Sequence, residues 1–127
     1  MRLVIVRHAE AAPGSPDELR TLTPEGKEQA RALGRRLREE IGEPDAILSS
    51  PLLRARETAR ELGLGEPDPD DRLAPGATAD GVREAVAGRG ETVVVVAHQP
   101  DCGRIAAALT DGNEPSFPPA GIALVDM

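Results

Sequence analysis

The sequence has 127 residues and a formal net charge of -7 at pH 7. This length suits one compact domain, so we expect residues 1–127 to form a single unit. An acidic surface repels other polyanions, which argues against nucleic acid or an anionic membrane as a partner. No stretch approaches the ~20 apolar residues of a membrane span, and MRLVIVRH is too short an apolar opening for a signal peptide. The expected location is therefore the cytoplasm.

Four apolar segments have the character of buried β-strands. Residues 3–6 (LVIV) and 92–97 (TVVVVA) are continuous apolar runs, which are typical of a parallel sheet covered on both faces. Residues 46–48 and 121–125 are shorter candidates.

Helices are predicted between these strands. Thr23 can cap a helix that has Pro24 in its first position, and Gly42 supplies the stop. The same start signal recurs at Ser50 and Pro51. Further helices are predicted over residues 79–87 and 101–109, whereas the Pro-, Asp- and Gly-rich residues 65–80 indicate a surface loop. The alternation predicts an α/β fold, a three-layer sandwich whose mostly parallel sheet has helices on both faces.

The only two histidines, His8 and His98, each follow a strand of the buried type. Ligand sites in open α/β sheets form at the carboxyl ends of the strands, so we expect both side chains in one crevice. Arg7 precedes His8, and Arg54 lies at the start of the helix after the candidate strand at residues 46–48. A helix N-terminus and arginine side chains both favour phosphate oxygens, so these four residues predict a phosphate site.

Such a site can also catalyse phosphate transfer. A neutral His8 imidazole is a nucleophile toward phosphorus, and the arginines would offset the charge of the transition state. We expect a protonated His98 to donate to the phosphoryl oxygens.

Five segments in chain order resemble the histidine phosphatase superfamily, also called the phosphoglycerate-mutase-like family. They are RHAEA at 7–11, LTPEG with QA at 22–30, SPLLRA with TA at 50–59, AH at 97–98 and SFPPAG at 116–121. By that resemblance, His8 is the phosphorylated nucleophile, and Arg7, Arg54 and His98 form the rest of the phosphate pocket. We expect the reaction to require no metal and no cofactor. The short length and the RHAEA opening look most like the small SixA-type phosphohistidine phosphatases.

The expected general acid has no clear match in this sequence. Larger members of the family often carry a glutamate before the second-histidine strand, where this chain offers Asp71 and Asp80 as weak candidates. An imidazole leaving group, with a pKa of roughly 6.5, needs less proton donation than an alkoxide. The missing acid therefore favours phosphohistidine in a protein over a small phosphate ester as the substrate.

Three other interpretations stay open at this stage. The chain could be a phosphatase or mutase of small phosphate esters. It could be a module that binds a phosphorylated partner without turnover. A zinc site is a further alternative, with His8 and His98 joined by Asp101 or Cys102. The sequence does not predict the oligomeric state.

Overall fold

The computed structural model describes residues 1–127 and contains a single five-stranded sheet between two pairs of helices. The strands are β1 (Arg2–Arg7), β2 (Ala46–Ser49), β3 (Asp68–Pro69), β4 (Thr92–Ala97) and β5 (Ile122–Asp126). The helices are α1 (Pro24–Ile41), α2 (Leu53–Glu61), α3 (Ala79–Val86) and α4 (Asp101–Thr110), with short 3-10 helices at Asp17–Leu19 and Asp71–Leu73.

The sheet has the strand order β3-β2-β4-β1-β5, and all its pairs are parallel except β1 with β5. Consecutive valines in β4 point alternately to opposite faces. On one face, Val94 and Val96 join the cluster beneath α1 and α2. On the other face, Val93 and Val95 pack in the cluster beneath α3 and α4. The predicted three-layer α/β fold is therefore confirmed, and the apolar runs exist because both faces of the central strands are buried.

Helix α1 begins and ends where the capping residues in the sequence predict. The hydroxyl of Thr23 accepts the backbone N–H of Gly26 at 2.9 Å, and Pro24 occupies the first helical position. Gly42 ends the helix with a φ of 69°, a conformation that glycine adopts without steric cost.

Two sequence predictions need correction. The second helix starts at Leu53 and not at Ser50–Pro51, because Ser50 instead accepts the backbone N–H of Leu52 and closes a turn before the helix. The predicted loop over residues 65–80 contains β3 and the 3-10 helix Asp71–Leu73. Both residues of β3 are exposed at the sheet edge, where proline is tolerated, so no apolar pattern marks the strand.

No helix in the structure combines the length and the hydropathy needed to cross a membrane.

The packing of α1 against α2 depends on Gly34. A β-carbon at this position would lie 1.9 Å from the backbone oxygen of Leu62, which is far inside van der Waals contact. We expect Gly34→Ala to lower the free energy of unfolding by about 1–3 kcal/mol or more, although alanine normally favours a helix.

Urea unfolding of purified variants measures this effect. The control is Arg36→Ala, an exposed position of the same helix with no ion pair, which should change stability by less than about 0.5 kcal/mol. A Gly34→Ala protein as stable as the parent would show that the two helices do not approach as closely as described.

Candidate active site

The pairing of β1 with β4 brings the two histidines together. Arg7 and Ala97 form the last pair of the two parallel strands, and the backbone N–H of His8 donates to the carbonyl of Ala97 at 3.0 Å. The centroids of the His8 and His98 rings lie 5.2 Å apart, with an interplanar angle of 60°. The structure therefore brings both histidine side chains to one edge of the sheet, as the sequence predicts.

His8 has one ring nitrogen engaged and one free. Its Nδ1 lies 2.8 Å from the carbonyl oxygen of Ala9. Because a carbonyl only accepts hydrogen bonds, Nδ1 carries the proton and Nε2 keeps its lone pair. Burial lowers the pKa of His8, and the positive charges of Arg54 and Arg7 lower it further. His8 is thus held as a neutral imidazole with Nε2 available as a nucleophile.

His98 is neutral as well in the phosphate-free site, whereas a protonated imidazole was expected from the sequence for the site that holds a phosphoryl group. Its side chain is almost fully buried, and this burial, followed by the closeness of the second imidazole and the positive charge of Arg54, lowers the pKa of His98 to about 4. Its Nε2 lies 2.7 Å from the hydroxyl of Ser50, while its Nδ1 is buried and has no partner in the protein.

Arg7 is fixed by the segment that precedes β5. One of its terminal nitrogens donates to the carbonyl of Phe117 at 2.9 Å, and Phe117 is itself buried in the core beneath α3 and α4. The only aromatic residue of the chain therefore anchors the backbone that orients Arg7.

Arg54 lies in the first turn of α2 and is only 7% exposed. The hydroxyl of Thr58 donates to the carbonyl of Arg54 at 2.8 Å and accepts the backbone N–H of Ala9 at 3.0 Å. This buried hydroxyl ties α2 to the backbone directly after His8, so it fixes the distance between the arginine and the imidazole.

A polar segment that sequence reasoning missed also contacts Arg54. The guanidinium donates to the backbone carbonyl of Asp17 at 2.9 Å and to its carboxylate at 3.2 Å. Arg20 holds the same carboxylate at 3.1 Å and the carbonyl of Ala12 at 2.9 Å. Hydrogen bonds and charge from Arg20 and Arg54 lower the pKa of Asp17. No periodicity or motif marks this segment, and only the folded chain brings it to Arg54.

Buried polar side-chain atoms without a hydrogen-bond partner are concentrated around His8. Four buried side-chain polar atoms have no hydrogen-bond partner: Arg7 Nε, Arg54 Nε, His98 Nδ1 and Ser49 Oγ. Three of them are nitrogens of the residues predicted to form the phosphate pocket. Buried donors without partners are costly and rare, and a tetrahedral oxyanion is a ligand that accepts hydrogen bonds from several directions.

The other candidates do not join this cluster. Asp71 and Asp80 are exposed, and the carboxylate of Asp80 pairs with Arg83 at 2.9 Å. Asp101 accepts the backbone N–H of Gly76 at 2.8 Å, and the thiol of Cys102 lies 3.7 Å from a carbonyl of β1. The structure groups no three His, Cys, Asp or Glu side chains that could hold a metal ion.

The fold and these contacts define an α/β protein that can hold an oxyanion against a neutral imidazole. The family model for the histidine phosphatase superfamily (branch 1) matches residues 3–75, which is more than half of the chain. The chain belongs to this superfamily, and it is a phosphatase.

Individual relatives support the same assignment. Phosphohistidine phosphatase SixA of Escherichia coli K12 is 32% identical over an alignment that covers 100% of this chain and 86% of SixA. The structure of the protein histidine phosphatase SixA complexed with tungstate superposes with a TM-score of 0.90 at 27% identity, covering 100% of this chain and 88% of that one. A putative SixA from Agrobacterium tumefaciens has a TM-score of 0.83 at 25% identity, covering 99% and 91% of the two chains.

The contact between Asp17 and Arg54 generates a prediction about phosphate affinity. The carboxylate occupies N–H groups of Arg54 that a phosphate would use, and it adds a negative charge beside an anion site. We expect Asp17→Asn to bind inorganic phosphate about two- to fivefold more tightly, in keeping with the modest strength of exposed ion pairs. Isothermal titration calorimetry of both proteins with phosphate measures the difference.

Asp71→Asn is the matched control, because it removes an exposed carboxylate that contacts none of the site residues. Weaker phosphate binding by Asp17→Asn would contradict the prediction and show that the carboxylate mainly positions Arg54.

Proposed function

We propose that this phosphatase works without a metal ion, through a covalent phosphohistidine on His8, and that its substrate is phosphohistidine in a protein. The observation that carries the proposal is the presence of a free His8 Nε2 together with three buried side-chain nitrogens that have no partner, on Arg7, Arg54 and His98. A nucleophile and donors for the oxygens of a phosphoryl group are thus present in one cluster.

In the first step, the lone pair of His8 Nε2 attacks phosphorus. The bond between phosphorus and the substrate breaks, and its electron pair leaves with the substrate group. Arg7 and Arg54 neutralise the negative charge on the phosphoryl oxygens, which spreads over them in the transition state. Neutral His98 contributes one N–H donor and no formal charge.

In the second step, water attacks the phosphoryl group held on His8. The bond between Nε2 and phosphorus breaks, its electron pair returns to the imidazole, and inorganic phosphate is released. The hydrogen bond from Nδ1 to the carbonyl of Ala9 keeps the ring in the tautomer that both steps require.

The carboxyl groups near the site favour a leaving group that needs little proton donation. Asp17 contacts Arg54, but its lowered pKa keeps it ionised and makes it a poor acid at neutral pH. Asp71 and Asp80 are exposed and lie outside the cluster. An imidazole leaves more readily than an alkoxide without an acid, and the relative SixA is named a phosphohistidine phosphatase.

Access to His8 favours a protein over a small molecule. The two clefts in the surface, of about 260 and 340 Å³, are lined by other parts of the chain and include none of the four pocket residues. His8 itself is only partly buried. A phosphorylated side chain presented on a protein surface can reach such a position without an enclosing cavity.

Two fixed cations support the metal-free part of the proposal. Arg7 and Arg54 supply the positive charge that metal ions contribute in many phosphatases. The cytoplasm remains the expected location.

Phosphate release from a phosphohistidine peptide in excess EDTA tests the proposal. We expect rapid release by the parent protein and none above the spontaneous rate by His8→Ala, because no other residue offers a free imidazole lone pair at the site. Unfolding by urea verifies that the variant is folded. A His8→Ala protein that keeps most of its activity would overturn the mechanism.

The same assay separates the competing functions. Turnover of small phosphate esters well above that of the peptide would replace the protein substrate by a small one. Activity lost in EDTA and restored by a metal ion would contradict metal independence. Phosphate binding without any turnover or phosphoenzyme would make the chain a phosphate-binding module.

A further inference from the structure

The hydroxyl of Ser50 is the only hydrogen-bond partner of the His98 ring in the protein. The distance between Ser50 Oγ and His98 Nε2 is 2.7 Å, and both side chains are buried. Ser50 Oγ also lies 3.2 Å from the backbone nitrogen of Leu52, whose N–H it accepts. Ser50 Oγ therefore has two hydrogen-bond partners, His98 Nε2 and the N–H of Leu52. The chemistry of these two groups determines which of them accepts the hydroxyl proton.

The hydroxyl proton has one available acceptor. The N–H of Leu52 is a donor, so Ser50 uses a lone pair for that contact and cannot send its proton there. His98 Nε2 is the remaining partner of the hydroxyl. Because a buried hydroxyl proton without an acceptor is costly, the O–H donates to Nε2, and Nε2 carries a lone pair.

This direction determines the tautomer of His98. A neutral imidazole has one N–H, and if Nε2 accepts, the proton is on Nδ1. Nδ1 is buried and has no acceptor within the protein, while the ring lies next to that of His8. A phosphoryl group on His8 would supply the missing acceptor.

We propose that Ser50 is a positioning residue, which fixes His98 in the Nδ1–H tautomer so that the ring donates to a phosphoryl oxygen at His8. The inference rests on the proposed function, since it needs an oxyanion at that place. In the opposite tautomer, Nε2–H would donate to Ser50 and a lone pair on Nδ1 would repel the oxyanion. The hydrogen bond from Ser50 therefore determines whether His98 attracts or repels the phosphoryl group.

The neighbouring Ser49 offers a matched control. It is the last residue of β2, it is equally buried, and its hydroxyl has no hydrogen-bond partner. Ser49→Ala and Ser50→Ala each remove one buried hydroxyl from adjacent positions, but only the second removes a contact with His98.

The tautomer can be measured in the unmodified protein, independently of activity. In ¹⁵N-labelled protein at neutral pH, long-range ¹H–¹⁵N correlations of the imidazole rings distinguish a protonated from an unprotonated nitrogen, and His98→Asn assigns the signals. We expect His98 to show a protonated Nδ1 and an unprotonated Nε2. A protonated Nε2 would overturn the proposal, whether or not the protein hydrolyses phosphohistidine.

Substitutions at Ser50 and Ser49 test how this hydrogen bond affects phosphate binding and catalysis. We expect Ser50→Ala to lose the preference for Nδ1–H, to bind inorganic phosphate more weakly and to lower kcat by about 10- to 100-fold, the usual effect of removing a group that orients a functional side chain. Ser49→Ala should keep the tautomer, the phosphate affinity and kcat. Ser50→Thr, which retains a hydroxyl, should restore the tautomer.

Each measurement has an outcome that contradicts the inference. A Ser50→Ala protein with unchanged phosphate affinity and kcat would show that the hydroxyl has no positioning role. Equal losses in Ser49→Ala and Ser50→Ala would indicate a purely structural effect. Failure of the proposed function itself would look different, because the unmodified protein would then show no turnover although the tautomer of His98 could still be read.

Discussion

The parallel pairing of β1 with β4 is the constraint on which the whole site depends. Both strands are buried on both faces and end at the same edge of the sheet, with Arg7 beside Ala97. The residues that follow are His8 and His98, so their approach requires no special loop. Arg54 reaches this edge on helix α2. Arg7, the last residue of β1, is held there by its hydrogen bond to the segment before β5. A register shift of one residue between the strands would separate the imidazoles.

The electrostatics of the site follow from burying these groups together. Arginines stay charged when buried, whereas imidazoles lose their proton, so burial beside two cations yields neutral histidines. Neutrality suits both proposed roles, because His8 needs a lone pair and His98 needs only an N–H. Asp17 is the counter-charge that keeps Arg54 from being buried without a partner. The local positive charge at this edge therefore contrasts with the net negative charge of the chain.

Sequence alone predicted the layers of the fold, and it named four candidate site residues on the basis of patterns within short segments. Continuous valines mark β4, and Thr23, Pro24 and Gly42 mark the ends of α1. The contacts of Asp17 and Ser50 were not predicted, since each joins positions far apart in the chain through a single polar side chain. The neutral state of His98 was also missed. It results from desolvation and from neighbouring charges, which have no signature in a linear pattern.

The most direct test of the account is to locate the phosphoryl group on the enzyme. The protein is mixed with a phosphohistidine peptide, quenched in alkali within the first turnover, and examined by ³¹P NMR and by tandem mass spectrometry of its peptides. We expect a phosphoryl group on Nε2 of His8, because Nδ1 donates its proton to the carbonyl of Ala9. Phosphorylation of Nδ1, of His98 or of any other residue, or turnover with no phosphorylated His8, would contradict it.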